Sequence, residues 1–337
     1  MAKIGILTFH ASHNFGSMLQ AYALQSTLQK MGHSAQIINF RSQTQREQCS
    51  GAYHKPAGSL RGLVRRMTLW PFRKDLIGKY RKFEMFIKQE LSCTPIYRSE
   101  EELLRRGGGV LFDCYICGSD QIWNATARDF SWLYFLPFKQ GKKIAYAPSA
   151  GDKVQLPAQK EKMLGFLSQF TAISVREQKL ADALAGDLSQ KPFVALDPTL
   201  LLTSQEWAAH ISDEPLVKGD YLVVYAPYLM PDLLNTIPAD NKARLVICAP
   251  MSLQALYNPR FVKCLNTGPW EFLNLIYYSK GVVSGSFHAA VFAKLFQKPL
   301  YCLDMGPGSR IANLEEKFKQ LSDERAKSLQ FLREALT

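Results

Sequence analysis

The sequence predicts an α/β fold made of two doubly wound domains, each around a parallel sheet, facing one cleft. Three observations predict it. Strand-length apolar runs alternate with segments of helical periodicity along the chain. A length of 337 residues exceeds a single domain of about 150 residues. A composition of 47% hydrophobic and 21% charged residues is that of a globular protein and excludes disordered and fibrous classes. No run of about 18 apolar residues occurs, so no membrane-spanning helix is expected.

Taken in order, Ile4–Thr8 reads as the first strand, and Met1-Ala-Lys-Ile-Gly-Ile-Leu-Thr-Phe-His10 reads as strand and loop rather than a signal peptide. Residues 9–16 form a polar loop. Ser17–Met31 is a helix, with Leu24, Leu28 and Met31 at helical spacing and Gly32 placed to end it. Ala35–Phe40 resumes as strand, completing a βαβ unit. The pattern continues through strand Leu111–Cys117, helix Ala158–Phe170, strand Ala172–Val175 and helix Glu177–Ala185, ended by Gly186. A second series is expected from near Pro192. Its strands are Phe193–Leu196, Tyr221–Tyr225, Arg244–Ala249, Gly281–Ser284 and Leu300–Leu303. Its helices are Trp270–Ser279, Ala289–Phe296 and a segment from Asn313 onward. The expected domains are therefore residues 1–190, with a basic insertion at about 41–95, and residues 191–337, with the last helix returning to pack on the N-terminal domain.

Seven cysteines and no expected signal peptide point to a reducing compartment, hence a cytoplasmic location. Cys114-x-x-Cys117 lies in a strand, where residues three apart face opposite ways. No second pair completes a zinc set, so buried thiols and no metal are expected.

Lys and Arg total 41 against 29 Asp and Glu, a formal charge of +12. Between His54 and Glu90 ten basic residues face three acidic ones, interleaved with Leu69, Trp70, Phe72, Tyr80, Phe83 and Phe86. One reading is an amphipathic helical region with a solvated basic face. The other is a surface for an anionic partner. With no nucleic-acid motif in the chain, an anionic membrane or glycan is preferred to nucleic acid.

Motifs for dinucleotide, P-loop, zincin and serine-hydrolase chemistry are missing, and no Asp-x-Asp occurs. Position then becomes the guide, because ligands of open α/β sheets bind beyond the carboxyl ends of the strands. Four such junctions are polar: Asn14-Phe-Gly-Ser17, Gly118-Ser-Asp-Gln121, Ser174-Val-Arg-Glu177 and Ser284-Gly-Ser-Phe-His288. Together they suggest a site for an anionic ligand, with Asn14, Gly16 and Ser17 at a helix N-terminus. Each residue also has a plain structural role. Ser17, Ser119, Asp120 and Ser286 suit N-caps, Asn14 and Gly16 suit a turn, Arg176 can pair with Glu177 or another acid at the surface, and His288 shares a helix face with Phe292 and Leu295.

At these residues the chain resembles the polysaccharide pyruvyl transferase family. The likeness rests on Gly5-Ile-Leu-Thr-Phe-His10 with Asn14-Phe-Gly16, Leu19-Gln-Ala-Tyr-Ala-Leu-Gln25, Gly118-Ser-Asp-Gln-Ile-Trp-Asn124, Ser174-Val-Arg-Glu177, Leu196-Asp-Pro-Thr-Leu-Leu-Leu202 and Ser286-Phe-His288. The resemblance implies a glycosyltransferase-B-like fold of two Rossmann-like domains. It implies transfer of pyruvate from phosphoenolpyruvate, as co-substrate and without a further cofactor, to a saccharide as a ketal, with phosphate released. The acceptor would be a polysaccharide or lipid-linked glycan, placing the enzyme in exopolysaccharide or related synthesis; separately, the basic insertion His54–Glu90 is expected to dock on an anionic or lipid-linked glycan at the inner membrane face.

By that likeness Asp120 and His288 are catalytic, as base and as acid or phosphate partner. Arg176, Ser119 and Ser286 would bind phosphoenolpyruvate. Several relatives carry Arg where this chain has Ser286, and Gly where it has Ala289, so Arg310 is the expected replacement cation. Two other readings suit the architecture: a nucleotide-sugar-dependent glycosyltransferase, and a non-catalytic binder of anionic glycan.

Overall fold

A computed structural model of the chain describes residues 1–49, 60–107, 112–226, 231–249, 253–303 and 309–337. Its elements form two units. The first comprises Met1–Cys49, Ile87–Leu202 and Gln320–Thr337; the second comprises Thr203–Lys319 and the described part of residues 50–86.

The first unit holds β1 (Lys3–Leu7), β2 (Ser34–Ile37), β3 (Cys114–Cys117), β4 (Lys142–Ala145), β5 (Ala172–Val175) and β6 (Phe193–Val194). They pair in the order β2-β1-β3-β4-β5-β6, parallel throughout. The interior strands are buried on both faces, which explains why β1 and β3 read as continuous apolar runs instead of alternating ones. The helix Phe15–Lys30 follows β1 and ends as expected, with Gly32 in the left-handed region at φ 88°. Trp123 stacks on Phe135 at 5.2 Å in the core, and its indole N–H donates to the Tyr134 carbonyl.

The second unit holds β7 (Tyr221–Val224), β8 (Arg244–Ile247), β9 (Phe261–Lys263), β10 (Gly281–Val283) and β11 (Leu300–Tyr301). Their order is β11-β10-β7-β8-β9, again all parallel.

Several expectations are corrected. The segment Phe193–Val194 belongs to the first sheet, pairing with β5, so the second series starts after Leu202 and not near Pro192. Strand β4 is absent from the sequence reading because Lys142 and Lys143 break its apolar run. Lys143 is nevertheless 5% exposed, with Nζ donating to Gln169 Oε1 at 2.6 Å. Edge strand β9 is too short to have announced itself. The segment from Asn313 is two helices, Arg310–Lys319 and Leu321–Leu336, assigned to different units. Leu111, the expected start of β3, lies outside the described residues.

The basic insertion also divides. Leu69 shares one buried apolar cluster with Leu222, Val224 and Val283, and Phe72 and Leu76 pack against that cluster, so residues 69–76 join the core of the second unit. Cys93 and Tyr97 instead bridge Ile37 and Phe40 in the first unit. Part of the insertion, residues 50–59, lies outside the described residues. The last helix packs on the first unit: Ser328 Oγ accepts from Leu196 N–H at 3.0 Å, and Phe331 stacks on Phe193 at 5.3 Å.

Candidate active site

In the first sheet the strand order reverses between β1 and β3, since β1 leads to β2 on one side and β3 lies on the other. Such a reversal opens a crevice at the carboxyl ends of the strands. Residues from both sides of it meet. Asn14 caps the helix Phe15–Lys30, its Oδ1 accepting from Gly16 N–H at 2.9 Å and Ser17 N–H at 3.3 Å. Ser17 Oγ then donates to Asp120 Oδ2 at 2.5 Å, and Gln121 N–H donates to Asp120 Oδ1 at 2.8 Å. Asp120 is 7% exposed and sits in the left-handed region at φ 69°. That conformation is uncommon for a side chain other than glycine.

A polar frame behind Asp120 holds the turn. Gln20 Nε2 donates to Thr8 Oγ1 and to the Ser17 carbonyl, and Gln20 Oε1 accepts from Ser119 N–H. Thr8 Oγ1 donates to the Ser119 carbonyl, and Ser119 Oγ donates to the Ala147 carbonyl at 2.6 Å. Gly118 takes φ 116°, and a Cβ there would run into the Tyr146 carbonyl oxygen. The Gly-Ser-Asp-Gln-Ile-Trp-Asn block thus combines a compulsory glycine, a nearly buried carboxylate and two core side chains, Ile122 and Trp123, both fully buried.

Arg176 is only 2% exposed. Its Nε donates to Glu177 Oε1 and its Nη1 to Asp197 Oδ2, each at 2.9 Å. Asp197 spends its other oxygen on Thr199 N–H and Oγ1. Burial works against the guanidinium charge, but Glu177, Asp197 and Asp120 outweigh it and hold Arg176 firmly protonated. Arg176 is thus engaged by two carboxylates through Nε and Nη1, and the fully buried Ser119 hydroxyl braces the turn. Asn14 likewise spends its amide oxygen on the helix cap.

Sequence reasoning gave no role to Gln20, Asp197 or Asp129, and Glu177 entered it only as a partner for Arg176. Asp129 is drawn above the usual carboxylate range, chiefly by burial, while Gln45 Nε2 reaches its Oδ2 at 3.4 Å. The signal for Asp197 was available, since a buried Arg after β5 demands a carboxylate and Leu196-Asp-Pro-Thr is the next polar strand end.

In the second sheet the reversal lies between β7 and β10, and there Ser284 Oγ donates to the Tyr225 carbonyl. Ser284 Oγ also accepts from Ser286 N–H at 3.0 Å. The helix Phe287–Leu295 begins immediately after, and its first turn leaves backbone N–H groups suited to an anion. His288 is 8% exposed in that turn. Its ring lies edge-on to Phe287 at 5.3 Å, and the Arg310 guanidinium lies 6.0 Å from the Phe287 ring centre. His288 and Arg310 therefore both lie beside the Phe287 ring, and Ser286 precedes that ring in the chain.

Among the described residues no group of three or more His, Cys, Asp or Glu could hold a metal ion. Cys114 and Cys117 are buried, and burial pushes the Cys114 thiol up to about 12 and raises that of Cys117 as well. Both are therefore poor thiolate ligands.

A family model described as polysaccharide pyruvyl transferase matches residues 14–307. A comparison with curated proteins finds no match. Among solved structures, MnaA of S. aureus with UDP superposes with a TM-score of 0.51 at 10% identity, covering 96% of this chain and 91% of that one. A putative UDP-N-acetylglucosamine 2-epimerase of Listeria monocytogenes gives 0.51 at 8% identity, covering 97% and 90%. An alpha-glucosyltransferase in complex with UDP and DNA gives 0.50 at 7% identity, covering 98% and 95%. At these identities the likeness is one of fold, the Rossmann-like two-domain type of glycosyltransferase-B proteins.

Proposed function

The chain belongs to the polysaccharide pyruvyl transferase family, and from that membership we propose that it moves pyruvate from phosphoenolpyruvate onto a sugar of a polysaccharide or lipid-linked glycan. The observation that carries the reading is Asp120: a nearly buried carboxylate at a sheet reversal, fixed by Ser17 and by Gln121 N–H, within a chain matched by this family over residues 14–307.

Asp120 takes the proton of the attacking sugar hydroxyl. Its two oxygens accept one hydrogen bond each from Ser17 and Gln121, and a carboxylate offers about four acceptor sites, so capacity remains for a substrate hydroxyl. A proton delivered to the methylene carbon of the donor creates an oxocarbenium-like centre, and the hydroxyl oxygen bonds to it. The bond from that carbon to the phosphate oxygen then breaks, phosphate leaves, and a second hydroxyl closes the ketal, its proton passing to the departing phosphate. His288 acts as acid or phosphate partner. The N-terminus of the helix Phe287–Leu295 and Arg310 supply positive potential for an anionic donor. Arg176 is assigned as a positioning residue that holds Glu177 and Asp197 beside the Asp120 turn. No cofactor beyond the co-substrate enters this scheme.

Thermal unfolding with millimolar phosphoenolpyruvate tests the donor without knowledge of the acceptor. At 100 times its dissociation constant a donor adds about 2.7 kcal/mol, and each kcal/mol raises the midpoint of a unit of this size by about 2–4 °C. Stabilisation that disappears in His288→Ala and Arg310→Ala supports the assignment. Stabilisation by a nucleotide-sugar in its place overturns it in favour of a glycosyltransferase.

A further inference from the structure

The helix Leu60–Thr68, the turn Trp70–Phe72 and the start of the helix Arg73–Glu90 are fastened to the second unit from one side only. Leu69 is the buried peg, and Phe72 packs beside it with its ring edge-on to Tyr257 at 5.5 Å. The Tyr257 hydroxyl donates to the Thr68 carbonyl. The opposite side of the segment is apolar and uncovered: Leu63 is 46% exposed, Val64 55%, Met67 68% and Trp70 56%.

These side chains form one face. Successive helical residues are about 100° apart, so Leu63, Met67 and Val64 fall within about 100° of arc, while Arg65 and Arg66 point the other way. Trp70 stands at the end of that face with the Arg73 guanidinium 4.0 Å from its ring centre. Arg65, Lys74 and Arg81 are exposed along the same segment. In a globular fold the apolar face of such a helix turns inward; here it turns to solvent, with cations at its flanks.

We propose that this segment docks the protein on an anionic lipid bilayer, with Leu63, Val64, Met67 and Trp70 entering the interface and the flanking arginines and lysines meeting lipid phosphates. The charge pattern carries the choice of partner. An amphipathic helix with a basic polar face and an apolar face including tryptophan lies in the plane of a membrane interface. A hydrophilic polysaccharide would match the cations but offer nothing to four exposed apolar side chains. The inference does not depend on the donor assigned above, and its readout is vesicle binding rather than turnover.

The test is flotation of the full chain with vesicles of 7:3 phosphatidylcholine and phosphatidylglycerol, and with phosphatidylcholine alone. The expected result is retention at least tenfold greater on the anionic vesicles, falling as salt is raised. The Leu63→Ser/Met67→Ser/Trp70→Ser variant is expected to lose at least tenfold while keeping its circular dichroism spectrum and unfolding midpoint. Brominated lipid should quench tryptophan fluorescence in the parent chain and not in Trp70→Phe. No retention on anionic vesicles overturns the proposal, as does retention that the triple variant keeps. Self-association that the triple variant abolishes, without vesicle retention, also overturns it and assigns the face to a second copy of the chain.

Discussion

The Ser17 hydroxyl donates to Asp120 Oδ2 at 2.5 Å, joining residues 103 positions apart in sequence. The bond spans the β1–β3 reversal. In the second sheet Ser284 donates to the Tyr225 carbonyl across the β7–β10 reversal. Both units thus close their sheet reversal with a serine hydroxyl that leads into the candidate residues, and the same parallel topology explains both.

Asp120→Asn should lower turnover by about 10²–10⁴-fold, the range for losing a positioned general base, with little change in unfolding midpoint. Ser17→Ala should lower it by a smaller factor, about tenfold, by loosening the carboxylate. Steady-state kinetics on both variants checks the order; a Ser17→Ala effect equal to that of Asp120→Asn would argue that the hydroxyl itself takes part.

His288→Ala should lose more than tenfold in rate while the fold survives, because the ring sits in the first turn of a helix whose later residues carry the packing. Near-parental turnover by this variant would remove His288 from the mechanism.

Asp197→Ala should cost about 3–5 kcal/mol, the usual penalty for leaving a buried ion without its partner. Denaturant titration measures it. A loss of activity with unchanged stability would instead mean that Asp197 and Arg176 touch substrate.

Gly118→Ala should cost about 3 kcal/mol or more, because a methyl group meets both an unfavourable φ and the Tyr146 carbonyl. A stable, active Gly118→Ala protein would mean that the turn carrying Asp120 can relax.

Burial lowers Lys79 to about 8, against a smaller opposing effect of Cys248. With a folded value below the unfolded one, the unfolded state binds more protons between these values. Stability should therefore rise from about pH 8 to pH 10.5, the ordinary lysine value. Lys79→Met should raise the unfolding free energy below pH 8 by about 2 kcal/mol after allowing for partial solvent access, and remove that alkaline rise. A parallel pH profile in the two proteins would refute the assignment.

Much of the fold is legible in the sequence because parallel strands buried on both faces must be apolar runs, and because turn residues such as Gly32 and Gly186 mark helix ends. The strands that escaped were those whose burial owes nothing to composition: β4, which begins with two lysines, and β9, a three-residue edge. The junctions Asn14–Ser17, Gly118–Gln121 and Ser284–His288 were readable as strand ends before helices, since that is where an open sheet offers its crevice.

What each polar side chain does there was decided by tertiary structure alone. Ser17, Ser119, Asp120 and Arg176 are equally polar in sequence, yet one hydroxyl supports the carboxylate, the other braces a carbonyl, and the guanidinium is held by two acids. Apart from the pairing of Arg176 with its chain neighbour Glu177, these assignments depend on partners 21 to 103 residues away, and hydrogen bonding reads distance in space rather than along the chain. The sequence determined the alternation of elements and the chemistry available at the strand ends. The packing within each parallel sheet decided which of those groups are committed to the fold.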